Sequence, residues 1–340
     1  MIDPRLQTLR VLRECGTVTA TAAALHLTPS TVSQQLRQLA AQMDLTLLEP
    51  EGRKVRLTPA AHALLRHADA LHARWEEAAA DLAAHREGTA GRLRVTGIAT
   101  ALSALVVPAT ARLRDEAPGL DVTVAEDPTE DRYGLLLTGE ADIAVVLPTP
   151  AAPPPDDPRF TPHPLLSDPQ DLLVPVGHPL ADRVREGVRL DEAADETWIR
   201  AGDPQDQHQL LLTACAAAGF TPRLAHAAVD WAAVVALVAH GFGVCLMPRL
   251  APLPAGAPAP VVRVPLRGPS RPVRRIVAYV RRGSERQPPV ARGLAALRDA
   301  AEAYAHEAYA PGTYPDGTHP AGKHAAGPHG AASGRPAPDA

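Results

Sequence analysis

The chain has 340 residues, of which 46% are hydrophobic, and its formal net charge at pH 7 is −4. This length allows two to three domains with ordinary cores, and the hydrophobic content is compatible with globular folding. The small negative charge excludes a strong overall attraction to a polyanion, so any such attraction must come from a local basic surface.

One apolar stretch, "AVDWAAVVALVAHGFGVCLMP", is long enough to be considered as a membrane span. Asp230, His240 and two glycines interrupt it, so it predicts a core helix followed by a buried strand. The N-terminus has no apolar segment of the kind found in secretory signals. We therefore expect a cytoplasmic protein with no membrane partner.

Residues 17–39, "TVTATAAALHLTPSTVSQQLRQL", predict two short helices with a tight corner between them. Thr19 is a suitable N-cap for a first helix that ends near Leu25, and Thr28 followed by Pro29 predicts the start of the second. The second helix has an apolar stripe and an opposite face that is mostly uncharged and polar. The stripe comprises Val32, Leu36, Leu39 and Met43, and the polar side comprises Ser30, Thr31, Ser33, Gln34, Arg37 and Gln38.

The polar side has two interpretations. Arg and Gln pair with guanine and adenine edges in the major groove, and hydroxyls contact any base, so the face suits DNA recognition. A solvated face of a small amphipathic helix would show the same pattern.

The segment "LTLLEPEGRKVRLTPAA" favours the first interpretation. It predicts a hairpin whose turn, residues 51–53, has Arg53, Lys54 and Arg56 on or beside its tip. A basic hairpin next to a helix-turn-helix offers one element for the major groove and another for phosphates or the minor groove.

Across residues 3–67 the chain resembles the LysR-type transcriptional regulators, because "LHLTPSTVSQQLRQL", "LTLLE" and "GRKVRLT" stand in that family's order and spacing. The resemblance implies an N-terminal all-α winged helix-turn-helix over residues 1–60 that binds double-stranded DNA. The residues implied as DNA contacts are Ser30, Thr31, Ser33, Gln34, Arg37, Arg53 and Lys54.

A long helix is predicted after the hairpin, over residues 59–89. Its apolar residues step by three or four positions, which is typical of a coiled-coil seam but also of a solitary surface helix. The resemblance implies a linker helix that pairs with a second copy, giving a homodimer or homotetramer that reads an inverted repeat. The seam comprises Leu64, Ala68, Leu71, Trp75, Ala78 and Leu82.

Residues 91–305 predict an α/β domain, because strand-like "LRVTG", "LDVTVAE" and "ADIAVVL" alternate with helical segments. Pro-rich residues 148–158 and a second Pro/Gly-rich break predict two chain crossings between two lobes. The first lobe is expected over about 91–148 and 270–305, and the second over about 160–268. The phrases "GHPLADR", "AGFTPRL" and "HGFGVCLMPRL" resemble landmarks of the same family, which implies a two-lobed, periplasmic-binding-protein-like (type 2) effector domain.

A small-molecule effector of unknown identity is expected between the lobes, because ligands of open α/β sheets bind beyond the carboxyl ends of strands. Residues 96–101 follow the first strand and open a helix whose N–H groups suit an anion, with Ala99, Thr100 and Ala101 as the site. The resemblance implies that the facing wall includes Arg200, Gly202, Asp230 and Trp231. For Arg200 an ordinary surface position, and for Trp231 packing within the lobe, are the alternatives.

The remaining features predict no metal site, no cofactor and no catalytic residues. Cys15, Cys215 and Cys245 lack metal-ligand spacing and are expected to be reduced core residues, with a Cys215–Cys245 redox switch as the alternative. Residues 306–340 predict a disordered tail, with weak metal binding by His319, His324 and His329 as the alternative. Enzyme motifs such as GxSxG, HExxH and the nucleotide loop are absent from the sequence.

Together these patterns predict an effector-responsive, DNA-binding transcriptional regulator, with RNA polymerase as a further partner if it activates transcription. The alternative is a ligand-binding or redox-sensing module of the same two-lobed fold with no transcriptional role.

Overall fold

The computed structural model describes residues 2–51, 54–84, 91–126, 131–149, 152–154, 156–202, 207–253, 261–269 and 271–308. The N-terminal unit, called the head here, contains three helices and an antiparallel hairpin around an apolar core of leucine, valine and alanine side chains. Its elements are α1 (Pro4–Cys15), α2 (Val18–Ala24), α3 (Pro29–Met43), β1 (Leu48–Glu51) and β2 (Lys54–Leu57).

The start of α2 differs from the prediction, because Thr17 rather than Thr19 is its N-cap. The Thr17 hydroxyl accepts a hydrogen bond from the amide N–H of Ala20 at 3.1 Å. Gly16 ends α1 in the left-handed region, with φ of 68°, where glycine has no steric penalty. Helix α2 therefore begins two residues earlier than the sequence indicated.

The predicted apolar stripe of α3 is buried at Val32, Leu36 and Leu39, but Met43 is 41% exposed. Met43 is the last residue of the helix, and Asp44 leaves the helical conformation with φ of 51°. The stripe therefore reaches the core only over its first three members.

Helix α4 (Pro59–Ala84) confirms a long helix after the hairpin, and residues 85–90 lie outside the described ranges. Its first turns complete the head core with Ala61, Leu65 and Ala68. Beyond them, Leu71, Trp75 and Leu82 are 53%, 46% and 61% exposed. The apolar stripe of α4 thus continues past the head onto the surface of the chain.

Helix α4 is also fixed to the C-terminal domain. Glu76 accepts hydrogen bonds from Arg281 Nε at 2.9 Å and from the Gln287 amide at 2.5 Å. Gly283 packs so closely that a Cβ there would lie 2.3 Å from the Ala73 carbonyl oxygen, and its φ is +89°. Only glycine permits this approach of the two backbones.

The first lobe has a sheet in which β3 lies between β4 and β5, all parallel, and β11 pairs antiparallel with β5. Helices α6 and α10 pack their apolar faces against this sheet. The elements are β3 (Gly91–Gly97), α5 (Ala99–Ala101), a π-helical turn (Leu102–Val106), α6 (Val107–Glu116), β4 (Leu120–Ala125), α7 (Arg132–Thr138), β5 (Ile143–Val146), β11 (Val273–Arg281), a 3₁₀ turn (Ser284–Arg286) and α10 (Pro288–Ala308).

The second lobe has a parallel pair, β7 with β8, beside strands β9 and β10, which both pair with β6. Its core surrounds the fully buried Trp198. The elements are β6 (Phe160–Pro175), 3₁₀ turns at Pro179–Arg183 and Leu190–Ala193, β7 (Thr197–Ala201), α8 (Gln207–Ala217), β8 (Arg223–Ala228), α9 (Trp231–Ala239), β9 (Cys245–Pro248) and β10 (Val261–Pro265).

Strand β6 corrects the predicted boundary of the second lobe. Residues 160–169 pair with β11 of the first lobe, and residues 170–175 pair with β9 and β10 of the second. The chain therefore passes between the lobes inside a strand, near Asp168 and Asp171, and not in the Pro-rich segment. That segment returns the chain to the sheet it left.

The predicted tail and the membrane-span prediction can also be compared with the structure. Helix α10 continues to Ala308, so the first residues assigned to the tail are helical. The three tail histidines considered for metal binding, His319, His324 and His329, lie outside the described ranges. No helix in the part of the chain that the structure describes combines the length and apolar character needed to cross a membrane.

Candidate functional site

The N-terminus of α3 is held by a cluster of hydroxyl groups. The Thr28 Oγ1 atom accepts from the Thr31 amide N–H at 3.1 Å and lies 2.8 Å from the hydroxyls of Ser30 and Thr31. This cap satisfies one of the free N–H groups of the first turn and fixes where the helix begins. The Thr31 side chain is thereby engaged in the cap as well as lying at the helix surface.

The exposed face of α3 carries Ser30, Gln34, Arg37 and Gln38. Their spacing of three and four residues places them along one side of the helix, opposite the buried stripe. Arg37 Nε donates to the Ser33 carbonyl at 3.2 Å. Ser33 and Thr31 are half-buried and flank this face.

Two other glutamines of α3, Gln35 and Gln42, differ from Gln34 and Gln38 because their side chains bind residues of α1. The Gln35 side-chain oxygen accepts from the Thr8 hydroxyl at 2.5 Å, and Gln42 accepts from Arg5. These two glutamines therefore connect α3 to α1. A glutamine-rich helix thus contains both structural and surface amides.

The hairpin beside α3 pairs in regular register, with Glu51 opposite Lys54 and Glu49 opposite Arg56. Arg56 and Glu49 also form an ion pair across the two strands. Arg53, a predicted contact, lies outside the described residues, and for Lys54 only the backbone position is described. Arg56 is therefore the basic side chain of the hairpin whose position is known, and its charge is partly offset.

In the first lobe, Ala99, Thr100 and Ala101 form the first helical turn after β3, as predicted, with Ala99 exposed and the other two buried. The Thr100 hydroxyl accepts from Arg274 at 3.3 Å. Arg274 in turn pairs with Asp168 at 2.7 Å, and Asp168 is fully buried. Thr100 is thus connected to the point where β6 passes between the lobes.

Sequence reasoning missed Arg274 and Asp168. The available signal was a pair of aspartates, Asp168 and Asp171, within the part of the strand, residues 168–174, that is buried throughout. Buried charges in a strand require partners, and arginines on neighbouring strands provide them. Asp171 pairs with Arg249 at 3.0 Å in the same way.

In the second lobe the predicted residues gather beyond the carboxyl ends of the parallel strands β7 and β8. Arg200 is exposed near the end of β7. Gly202 follows it with φ of +70°, and a Cβ there would lie 3.1 Å from the ring of Trp231. Asp230 caps α9 by accepting from the Ala233 N–H at 3.0 Å, so its carboxylate has a structural role.

The three cysteines differ in their surroundings. Burial raises the pKa of the Cys215 thiol and of the Cys245 thiol to about 12. Cys15 is half-buried, and its pKa is raised by burial and by the carboxylates of Asp131 and Glu14. None of the three environments favours a reactive thiolate.

Two family models match the chain. The model described as "Bacterial regulatory helix-turn-helix protein, lysR family" matches residues 4–62, and the "LysR substrate binding domain" matches residues 86–302. The two matches cover the head and the two-lobed domain respectively.

Individual relatives agree with these matches. The chain is 28% identical over 249 residues to the transcriptional regulator MetR of Haemophilus influenzae, covering 73% of this chain and 78% of the relative. It is 33% identical over 236 residues to a "probable hydrogen peroxide-inducible genes activator" of Mycobacterium avium, covering 68% and 72%.

Solved structures share the fold. A full-length OxyR variant from Pseudomonas aeruginosa matches with a TM-score of 0.60 at 20% identity, covering 89% of this chain and 95% of that one. HinK, a LysR family regulator from Pseudomonas aeruginosa, matches with a TM-score of 0.55 at 20% identity, covering 87% and 97%.

We predict that at most one of the three thiols reacts readily in the folded chain. Cys215 and Cys245 have no exposed surface and raised pKa values, so a thiol reagent at pH 7.5 should modify only Cys15. Thiol counting by absorbance, with mass spectrometry to locate the adduct, measures this. A Cys15→Ser variant is the control and should show almost no reaction until denaturant is added; rapid modification of Cys215 or Cys245 would contradict the assignment.

Proposed function

Since this chain belongs to the LysR family of DNA-binding transcriptional regulators, we propose that α3 reads an inverted-repeat promoter site and that a small anionic effector adjusts this binding. The observation that carries the proposal is the capped, exposed polar face of α3. The regulator acts in the cytoplasm, and RNA polymerase is a further partner where it activates.

The proposed base contacts are Gln34 and Arg37, with Ser30 near the start of the helix. Gln and Arg suit adenine and guanine, because each can pair bidentately with one base edge. Thr31 and Ser33, which flank the exposed face, are proposed to bind backbone phosphates, together with Arg53 and Lys54 of the hairpin.

A second copy of the chain is the proposed partner of α4. The exposed Leu71, Trp75 and Leu82 continue the spacing of the buried part of the helix, which supports a seam between two helices. Pairing would bury this apolar surface and relate two heads by a twofold axis, as an inverted repeat requires. Dimers and tetramers both satisfy this condition.

The effector is proposed to bind between the lobes, with Ala99, Thr100 and Ala101 on one side and Arg200, Gly202, Asp230 and Trp231 on the other. Two observations support an anionic ligand: the helical turn at Thr100 begins without a side-chain cap, and Arg200 is exposed. Free N–H groups and a guanidinium both suit a carboxylate or phosphate. Trp231 offers an apolar surface beside them.

The domain limits are proposed as residues 1–60 for the head, 59–89 for the linker helix and 91–305 for the effector domain, with the lobe crossing inside β6. Binding of the effector changes the arrangement of the lobes, and α4 transmits this change to the head. The ion pair between Glu76 of α4 and Arg281 of β11 connects the helix to the first lobe for this purpose.

The relative from Mycobacterium avium is named for an inducer, hydrogen peroxide. A pKa near 12 leaves a thiolate fraction on the order of one part in 10⁵ at pH 7 for Cys215 and Cys245. Since thiolates are the species that peroxide oxidises, the buried thiols support effector binding over thiol oxidation as the input.

Replacing Gln34 with Ala should weaken binding to a specific duplex by about 1–3 kcal/mol while leaving binding to a scrambled duplex nearly unchanged. Arg53→Ala should weaken both and lower the salt slope by about one unit, since it removes a phosphate contact. The specific duplex is selected by the wild-type chain from a random pool, and the affinity of each variant for both duplexes is measured by titration at several salt concentrations. Gln42→Ala is the matched control, because Gln42 lies on the same helix but contacts Arg5; equal losses on both duplexes for Gln34→Ala would exclude base reading.

Leu71→Asp should convert the dimer to monomers or aggregates and abolish binding to the inverted repeat, because an unpaired carboxylate buried between helices costs several kcal/mol. Sedimentation velocity measures the assembly. Val184→Asp is the control, since Val184 is similarly exposed, at 40%, but lies in the second lobe. An intact dimer in the Leu71→Asp variant would contradict the proposed seam.

A carboxylate or phosphate metabolite found by thermal-shift screening of the full-length chain should stabilise it by about 2.7 kcal/mol at 100 times its dissociation constant. Thr100→Val combined with Arg200→Ala should remove most of that stabilisation, whereas Arg114→Ala, an exposed arginine on α6, should retain it. Full stabilisation of the double variant would show that the site is wrong and leave the assignment to the family unaffected.

A further inference from the structure

A cavity of about 220 Å³ lies where the head meets the first lobe. Its walls come from both domains, and most of its surface is apolar. The head contributes Val11, Glu14, Cys15 and Ala24, and the first lobe contributes Asp131, Gly134, Leu135, Leu137, Thr138 and Glu140. This volume is far more than one water molecule needs and is enough for a compact organic molecule.

Directed bonds hold the two walls together. The Gln7 amide donates to the Leu137 carbonyl at 2.6 Å, which fastens α1 to the end of α7. Two turns further along α1, Glu14 pairs with Arg159, whose guanidinium is also bonded to Asp157 at 2.6 Å. The cavity is therefore formed by a specific docking of the head onto the first lobe.

The charge around the cavity is negative. Three of its lining residues are acidic, and none is Lys, Arg or His. Glu14 is neutralised by Arg13 and Arg159, whereas Asp131 and Glu140 form no ion pair with any residue that the structure describes. The raised pKa of Cys15, to which Asp131 and Glu14 contribute, is consistent with a negative potential inside.

We propose that this cavity is a second ligand site, which takes a small molecule with an apolar body and a single ammonium group. The apolar body would pack against Val11, Leu135 and Leu137, which removes apolar surface from water. The ammonium would lie near Asp131 and Glu140, where it offsets two carboxylates that have no cationic partner. An anionic ligand, as proposed for the cleft between the lobes, is excluded here by the same charges.

The location gives the ligand a regulatory effect. Because the site needs walls from both domains, the ligand binds the docked arrangement of the head and stabilises it against any arrangement in which the head moves away. DNA affinity and ligand affinity must then change each other by the same factor. This input is separate from the effector cleft, since the cavity shares no residue with it.

The test uses the full-length chain and the probe 2-phenylethylammonium, with 3-phenylpropionate as an anionic compound of similar shape. The ammonium should bind at least about tenfold more tightly by calorimetry. It should also slow alkylation of Cys15 by iodoacetamide about fivefold or more, because Cys15 lines the cavity. Equal binding of the two compounds, or an unchanged rate at Cys15, would overturn the proposal.

Substitutions test whether the ammonium probe binds in this cavity. Ala24→Leu should abolish it by filling the cavity, and Glu140→Gln should weaken it about fivefold by removing one carboxylate charge. Glu116→Gln, an exposed carboxylate on α6, should bind within about twofold of the parent, as should the Thr100→Val, Arg200→Ala double variant. Thermal melting verifies that each variant is folded. Unchanged affinity in Glu140→Gln and Ala24→Leu, or lost affinity in the cleft variant, would exclude this site.

Discussion

The position of buried charge in β6 determines how the two lobes can be arranged. Asp168 is fully buried and Asp171 is 3% exposed, and each is paired with an arginine from a neighbouring element. A carboxylate in such a place is stable only while its partner stays in reach. Asp168 pairs with Arg274 of the first lobe and also accepts from the Leu250 N–H of the second lobe at 3.1 Å, so the lobes can change their relative arrangement only in ways that keep both partners on this carboxylate. Arg274 also donates to the Thr100 hydroxyl, so the proposed wall of the effector cleft is connected to the crossing between the lobes.

Sequence was most informative where a local rule determines structure. Thr28 followed by Pro29 predicts a helix start from capping chemistry alone, and the structure confirms both residues in those positions. Thr17 was missed because Thr19 satisfies the same preference, and the choice depends on the left-handed Gly16 before it. The crossing in β6 was missed because the Pro-rich residues 148–158 indicated a connector there. A strand that pairs with strands of both lobes has no local sequence pattern that distinguishes it from other strands. Tertiary pairing, which the sequence pattern does not contain, decided that case.

The same distinction applies to the site. Periodicity separates the buried and polar sides of α3, but it does not distinguish Gln34, which is exposed, from Gln35, which contacts Thr8 on another helix. Asp230 was predicted to lie in the effector cleft, and the structure shows that its carboxylate caps α9. The cavity between head and lobe could not be predicted at all, since its walls are residues 120 positions or so apart that meet only through tertiary docking.

The ion pair between Glu76 and Arg281 fixes the point about which α4 can tilt relative to the first lobe. Glu76 lies seventeen positions after Pro59, which is at the base of the head, and this corresponds to about 25 Å along a straight helix. A tilt of about 10° at this point would displace the base of the head by about 4 Å, which is comparable to the rise of one base pair. Helix α4 thus works as a lever whose pivot sits on the effector domain. A rotation too small to disturb any core contact of the sheet could move a recognition helix out of register with its half-site.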